Sequence, residues 1–191
     1  MENHLTSVYV IIGLWIVLFI AGQFTGLEHA LCGVGIKHLQ WQFYRYITAT
    51  FLHVSWIHLL ANCLALYFIT LYLDGKISNT MLTTIGILGA TLTNIAFSVV
   101  FKDAEYFCGG SVLVFSIIGF ILSMQLMCKN CAPFRLGTWY GNWTVAYAVL
   151  SNFVNGDMRF FDLSSIVCHG MSFTAGFLLG IVLFSLQIFG I

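Results

Sequence analysis

The sequence predicts an all-α membrane protein: a six-transmembrane helical bundle forming a single domain over residues 1–191. Three observations carry that expectation. Of 191 residues, 60% are hydrophobic and only 7% are charged, where soluble domains run at about 45–50% and about 25%. The apolar residues come in continuous runs near the roughly 20 residues a helical span needs, without the alternation of a membrane β-barrel. A single proline, Pro133, and 18 glycines suit helices that approach closely through small side chains. The composition also excludes other classes. Disorder needs low hydrophobicity and high charge. Seven Lys/Arg balanced by seven Asp/Glu leave no basic field for nucleic acid.

The first apolar run, 6–24, reads as a retained span and not as a signal peptide. No Lys or Arg precedes it, it is as long as a full span, and no small-residue cleavage pattern follows. The segment from Gly26 to Val54 sets Glu28, Lys37 and Arg45 beside Trp41, Phe43, Tyr44 and Tyr46, a mixture expected at the headgroup interface. Further spans are expected at 55–74, 80–101, 111–128, 138–154 and 165–190. Charge does not orient them. With both termini cytoplasmic, Lys76, Lys129 and Arg135 fall inside, and Lys37, Arg45, Lys102 and Arg159 outside, which is no bias at all. The cysteines, Cys32, Cys63, Cys108, Cys128, Cys131 and Cys168, are expected to act as small hydrophobes and not as a disulfide framework. Cys128 and Cys131 have a metal-ligand spacing, but one such pair reads as a coincidence in a short loop.

Polar side chains inside apolar runs demand a reason. In His53-Val-Ser-Trp-Ile-His58-Leu-Leu-Ala-Asn62, His58 and Asn62 share a helix face one turn apart. Two neutral donors there suit an oxyanion-stabilising wall, or an interhelical hydrogen bond that holds the bundle together. Cys108-Gly109-Gly110-Ser111 places a serine at the first turn of an apolar run, where unpaired N–H groups favour developing negative charge. Ser111 is a candidate nucleophile, or an N-cap. His169 lies in the last run, on one stripe with Ser172, Gly176 and Gly180; Ser111, Phe115 and Gly119 form a matching stripe in the fourth. Packing these stripes together brings an imidazole to a hydroxyl, with Phe115 as a ring neighbour, although a buried histidine also serves structure alone. No Asp or Glu is placed to complete a triad, so a Ser–His dyad oriented by packing is expected. The sites taken together favour chemistry over structure.

These residues resemble the rhomboid family of intramembrane serine proteases. The resemblance covers about 40–185: Tyr44-Arg45 in an interfacial loop, His53, His58 and Asn62 as His-x4-His-x3-Asn, Gly109-Gly110-Ser111, and His169 with Gly176 and Gly180. Asp74, twelve positions after Asn62, resembles an acidic residue the family often carries. The resemblance implies a rhomboid-like six-helix bundle with cytoplasmic termini. It implies Ser111 as nucleophile, His169 as general base and then acid, and His58, Asn62 and the Ser111 N–H as oxyanion donors. It also implies membrane-spanning protein substrates cut near the outer face, with no cofactor or metal. Departures are Val112 where the family usually has Gly, Tyr44 for Trp, and Gly170-Met171-Ser172 after the histidine. Val112 is expected to narrow the turn or shift the serine.

Laterally, substrate is expected to pass near the fifth span (Gly141 to Val154) or the interfacial segment. Other readings stay open: a rhomboid-like protein that binds membrane clients without cleaving them, a small transporter or assembly factor, or the branch that processes C-terminal anchors of exported proteins. Compact size suggests the bacterial cytoplasmic membrane.

Overall fold

The computed structural model describes residues 6–73, 76–128, 136–153 and 162–186. Eight helices occur among them: α1 (Thr6–Thr25), α2 (Leu27–Leu31), α3 (Arg45–Thr48), α4 (Trp56–Leu73), α5 (Asn79–Val100), α6 (Ser111–Met127), α7 (Trp139–Phe153) and α8 (Leu163–Ser185). Two short 3-10 turns, Ile36–His38 and Ala49–Phe51, complete the interfacial segment. No strand is present among the described residues, only an antiparallel bridge between Gly33 and Phe107.

Local chemistry sets the helix ends. Gly26 terminates α1 in a left-handed conformation (φ 63°), which a glycine adopts without a Cβ penalty. Ser78 caps α5 by accepting the Met81 N–H, and Asp162 caps α8 by accepting the Ser164 N–H, each satisfying a first-turn donor.

Four helices, α1, α4, α5 and α8, are long and apolar enough to cross a membrane. The chain is an integral membrane protein. Helix α6 is apolar but only 17 residues long, and α7 has 15. Most of α6 is buried, Ser111 through Ile117 without a break, as expected of a helix apolar all round and enclosed by its neighbours. Conversely α1 turns Val10, Leu14 and Val17 outward, where lipid is the natural solvent.

The centre of the bundle is the α6–α8 contact. A Cβ on Gly176 would lie 1.8 Å from the Ser116 carbonyl oxygen, and one on Gly119 would lie 1.9 Å from that of Phe173. Only glycine permits backbones so near. Gly180 meets the Ser123 side chain instead, and Gly89 of α5 meets that of Ser116 from the other side. Helix α7 packs on α4 through the edge-on rings of Phe68 with Trp139 and Trp143.

The interfacial segment is docked on α5. Asn94 Nδ2 donates to the Tyr46 carbonyl (2.8 Å), and Ser98 Oγ donates to that of Val34 (2.9 Å). Trp41, Phe43 and Ile47 remain exposed on its outer side.

One cysteine departs from expectation. Cys128, just past α6, is disulfide-bonded; burial among apolar neighbours does not preclude a covalent partner. Cys131 and Asp74 lie outside the described residues.

Candidate active site

The close approach of α6 and α8 carries two polar side chains together. Ser111 opens α6, and His169 sits in the second turn of α8. His169 Nε2 and Ser111 Oγ are 3.0 Å apart. Gly110, not Ser111, is the N-cap residue, so the serine hydroxyl is turned to the imidazole and does not close its own helix. Phe115, one turn along α6, stacks on the His169 ring with centroids 4.2 Å apart and planes 13° from parallel. Ser172, one turn after the histidine, donates its hydroxyl to the Val112 carbonyl. Val112 is buried beside the site, and Ser111 keeps its contact with His169 despite the branched neighbour.

A second partner holds the ring from its far side. Asn152, at the end of α7, lies 3.1 Å from His169 Nδ1 through its Oδ1. Its amide orientation is settled by Nδ2, which donates to the Ala148 carbonyl at 2.6 Å. The oxygen facing the imidazole can only accept, so Nδ1 carries the proton and Nε2 presents a lone pair to Ser111. Sequence reasoning passed over Asn152. Its signal was a polar Ser151-Asn152 pair near the end of an apolar run.

His58 and Asn62 line the same cavity as Ser111 and His169. Asn62 Oδ1 accepts the Tyr147 hydroxyl, while Asn62 Nδ2 is buried without a hydrogen-bond partner. Such an orphaned donor is uncommon and calls for an acceptor. Tyr147, also missed in the sequence, thereby ties the Asn62 amide to α7. Gly109 adjoins this wall: a Cβ there would meet His58 Cε1 at 2.9 Å, and would lie 3.4 Å from both His58 Nε2 and Ser111 Oγ. The absent side chain is what lets the backbone pass this close to His58.

The remaining expected residues support this floor. A Cβ on Gly110 would strike the Trp15 ring at 2.7 Å and His53 Nε2 at 2.8 Å. Trp15 in turn donates to the Thr50 carbonyl at 3.1 Å. His53 lies edge-on to both Trp15 and His58, with centroids 5.1 Å apart in each case. Burial, and secondly His58, pushes the His53 imidazole down to about 2. Arg45 stands apart from the serine: its guanidinium holds the His29 and Cys32 carbonyls at 2.9 and 2.8 Å and also bonds Gln42. It organises the interfacial segment.

The cavity has a volume of about 470 Å³ and extends from Ser111 and His169 past Trp143 of α7 to Asp162 at the start of α8. A helical membrane protein with a paired serine and histidine at the end of such a cavity is the class that fold and site define. The family model described as the rhomboid domain matches residues 40–186, and the chain belongs to the rhomboid family. Comparison with curated proteins returned no match.

Proposed function

We propose that this rhomboid-family protein is an intramembrane serine endopeptidase working through a Ser111–His169 dyad. The observation that carries the reading is the 3.0 Å approach of Ser111 Oγ to a His169 nitrogen whose opposite nitrogen is held by Asn152. His169 takes the hydroxyl proton as Ser111 attacks the scissile carbonyl, then returns it to the leaving amine. Water releases the acyl group by the same route. Asn62 Nδ2, His58 and the Ser111 N–H receive the developing oxyanion, and each such donor is worth about 10²–10³ in rate. Gly109 lets the backbone before the serine pass close to His58. Phe115 and Asn152 orient the base, while Gly119, Gly176 and Gly180 hold its helix against that of the nucleophile. Gly110 and His53 support the turn before the serine, and Arg45 the interfacial segment.

The substrates on this reading are membrane-spanning proteins, unwound near the outer face so that an extended backbone reaches the cavity. The topology is six spans, α1 and α4 to α8, with both termini cytoplasmic, in the bacterial cytoplasmic membrane. Burial of Ser111 (7% exposed) and His169 (7%) supports chemistry on a substrate already in the bilayer, since polar groups at depth persist only within protein or beside water. No cofactor or metal enters the scheme.

A serine-directed fluorophosphonate tests the assignment. Labelling of the wild type, and of neither Ser111→Ala nor His169→Ala, is the expected result. Undiminished labelling of Ser111→Ala removes the nucleophile from the scheme.

A further inference from the structure

Cys32 and Cys108 face each other beside the turn that leads into Ser111. Gly33 and Phe107 exchange both backbone hydrogen bonds, N–H to carbonyl, at 2.9 and 2.8 Å. The next residues outward in an antiparallel ladder form a non-hydrogen-bonded pair, Cα atoms about 4.5 Å apart, with side chains on one face. One step back from Gly33 and one step on from Phe107 lie Cys32 and Cys108. That separation falls within the roughly 4.4–6.8 Å that a disulfide spans. Both are thiols, and their side chains are hydrogen-bonded to each other.

We propose that Cys32 and Cys108 form a redox-responsive pair that closes into a cross-strand disulfide and pins the segment before Ser111 to the interfacial segment. The proposal stands whether or not Ser111 is a nucleophile.

The two cysteines differ in access, which orders the steps. Cys108 is partly exposed and lines the cavity, while Cys32 is buried behind it at 4% exposure. A disulfide oxidant, RSSR, is attacked by the Cys108 thiolate; an S–S bond forms to Cys108 and one RSH leaves. The Cys32 thiolate then attacks the Cys108 sulfur, forming the Cys32–Cys108 bond and releasing the second RSH. Both thiol protons leave on RSH, and the oxidant takes up the two electrons. The Cys108 side-chain hydrogen bond holds the Cys32 thiol below the ordinary cysteine value, against burial and Glu28, with a smaller aid from Arg45. That bond belongs to the reduced pair and is lost once Cys108 carries RS; the resolving attack then rests on the adjacency of the two sulfurs.

Closure changes what ties two segments together. With both thiols reduced, they are joined by backbone hydrogen bonds of Gly33, Gly35 and Lys37 to 102–107 and by the exposed Lys37–Asp103 ion pair. A covalent bridge three residues before Ser111 adds a link that salt and solvent do not compete away.

The test uses the whole chain in detergent, reduced with dithiothreitol and then exposed to oxidised glutathione. Non-reducing digestion and mass spectrometry should show a Cys32–Cys108 linked peptide, lighter by two hydrogens than its parts. Both residues should become inert to N-ethylmaleimide. Cys32→Ser should leave Cys108 as a lasting glutathione adduct with no linked peptide, and Cys63→Ser should change none of this. Wild-type protein in which both cysteines stay alkylatable overturns the proposal. So does a stable glutathione adduct on Cys108 with Cys32 still alkylatable.

Discussion

His169 Nδ1 donates to Asn152 Oδ1 at 3.1 Å across 17 residues of chain, joining α8 to the end of α7. The bond chooses the tautomer that leaves Nε2 free to accept from Ser111. Asn152→Leu removes that choice. A net hydrogen bond is worth about 1–1.5 kcal/mol, so kcat and the fluorophosphonate labelling rate should fall about tenfold, with KM little changed. A rate equal to wild type, or a loss confined to KM, denies Asn152 its positioning role.

Asn62 and Tyr147 make a different test. Asn62→Ala deletes the buried, unpaired donor of a cavity-lining residue and should lower kcat by about 10²–10³. Tyr147→Phe keeps the donor but frees the amide to rotate, since Asn62 Oδ1 loses the hydroxyl it accepts. Its loss should be smaller, about tenfold, from one hydrogen bond. Kinetics on a fluorogenic membrane substrate distinguish the two. If Tyr147→Phe proves as damaging as Asn62→Ala, Tyr147 contributes more than orientation.

Much of this arrangement is legible in the residue pattern. The spacing of Gly176 and Gly180 against Gly119 foretells the α6–α8 contact because backbone proximity needs a missing Cβ, and glycine is visible in a sequence. The ends of α1, α4 and α5 fall within one residue of expectation because apolar runs stop where polar residues begin, whereas α8 ends at Ser185, five residues short of the expected 190, because apolar residues run on past the helix. Asn152 and Tyr147 were not legible as site residues. Their roles depend on α7 lying beside α4 and α8, and no periodicity within α7 reveals its neighbours. The Gly33–Phe107 bridge was hidden for the same reason, since its partners lie far apart in the chain. The span count is only partly visible in structure: α6 and α7 are short, and length alone marks four helices.

His53 supplies a pH dependence. Burial holds its imidazole at about 2, against an ordinary value of 6.5, and both ring nitrogens are buried without hydrogen-bond partners. Above pH 6.5 the ring is neutral in folded and unfolded chains alike, and stability is unaffected. Below pH 6.5 the unfolded chain takes up a proton that the folded chain refuses, so stability falls by up to about 1.4 kcal/mol per pH unit. Thermal midpoints in detergent should therefore decline from pH 6.5 to 4.5, and His53→Leu should flatten the decline by one group's share. Identical slopes in the two proteins refute the assignment.

The glycine stripe predicts a graded series. Gly176→Ala and Gly119→Ala drive a methyl group into the backbone carbonyls of Ser116 and Phe173 at 1.8 and 1.9 Å. Neither carbonyl can move without its helix, so each substitution should destabilise by about 3 kcal/mol. It should also separate Ser111 from His169, so that fluorophosphonate labelling falls with stability. Gly180→Ala meets the Ser123 hydroxyl at 1.7 Å and the Ser123 Cβ at 2.8 Å; the hydroxyl can rotate away at the cost of its bond to the Phe120 carbonyl while the Cβ must shift with its helix, so about 2 kcal/mol is expected. Gly170, next to the histidine, has nothing within 4 Å of its absent Cβ, and Gly170→Ala should stabilise α8 by up to about 1 kcal/mol through helix propensity alone. Thermal denaturation of the four variants should rank them Gly170→Ala, Gly180→Ala, then the two carbonyl-facing positions. A Gly176→Ala protein as stable as Gly170→Ala would mean that α6 and α8 are not in backbone contact.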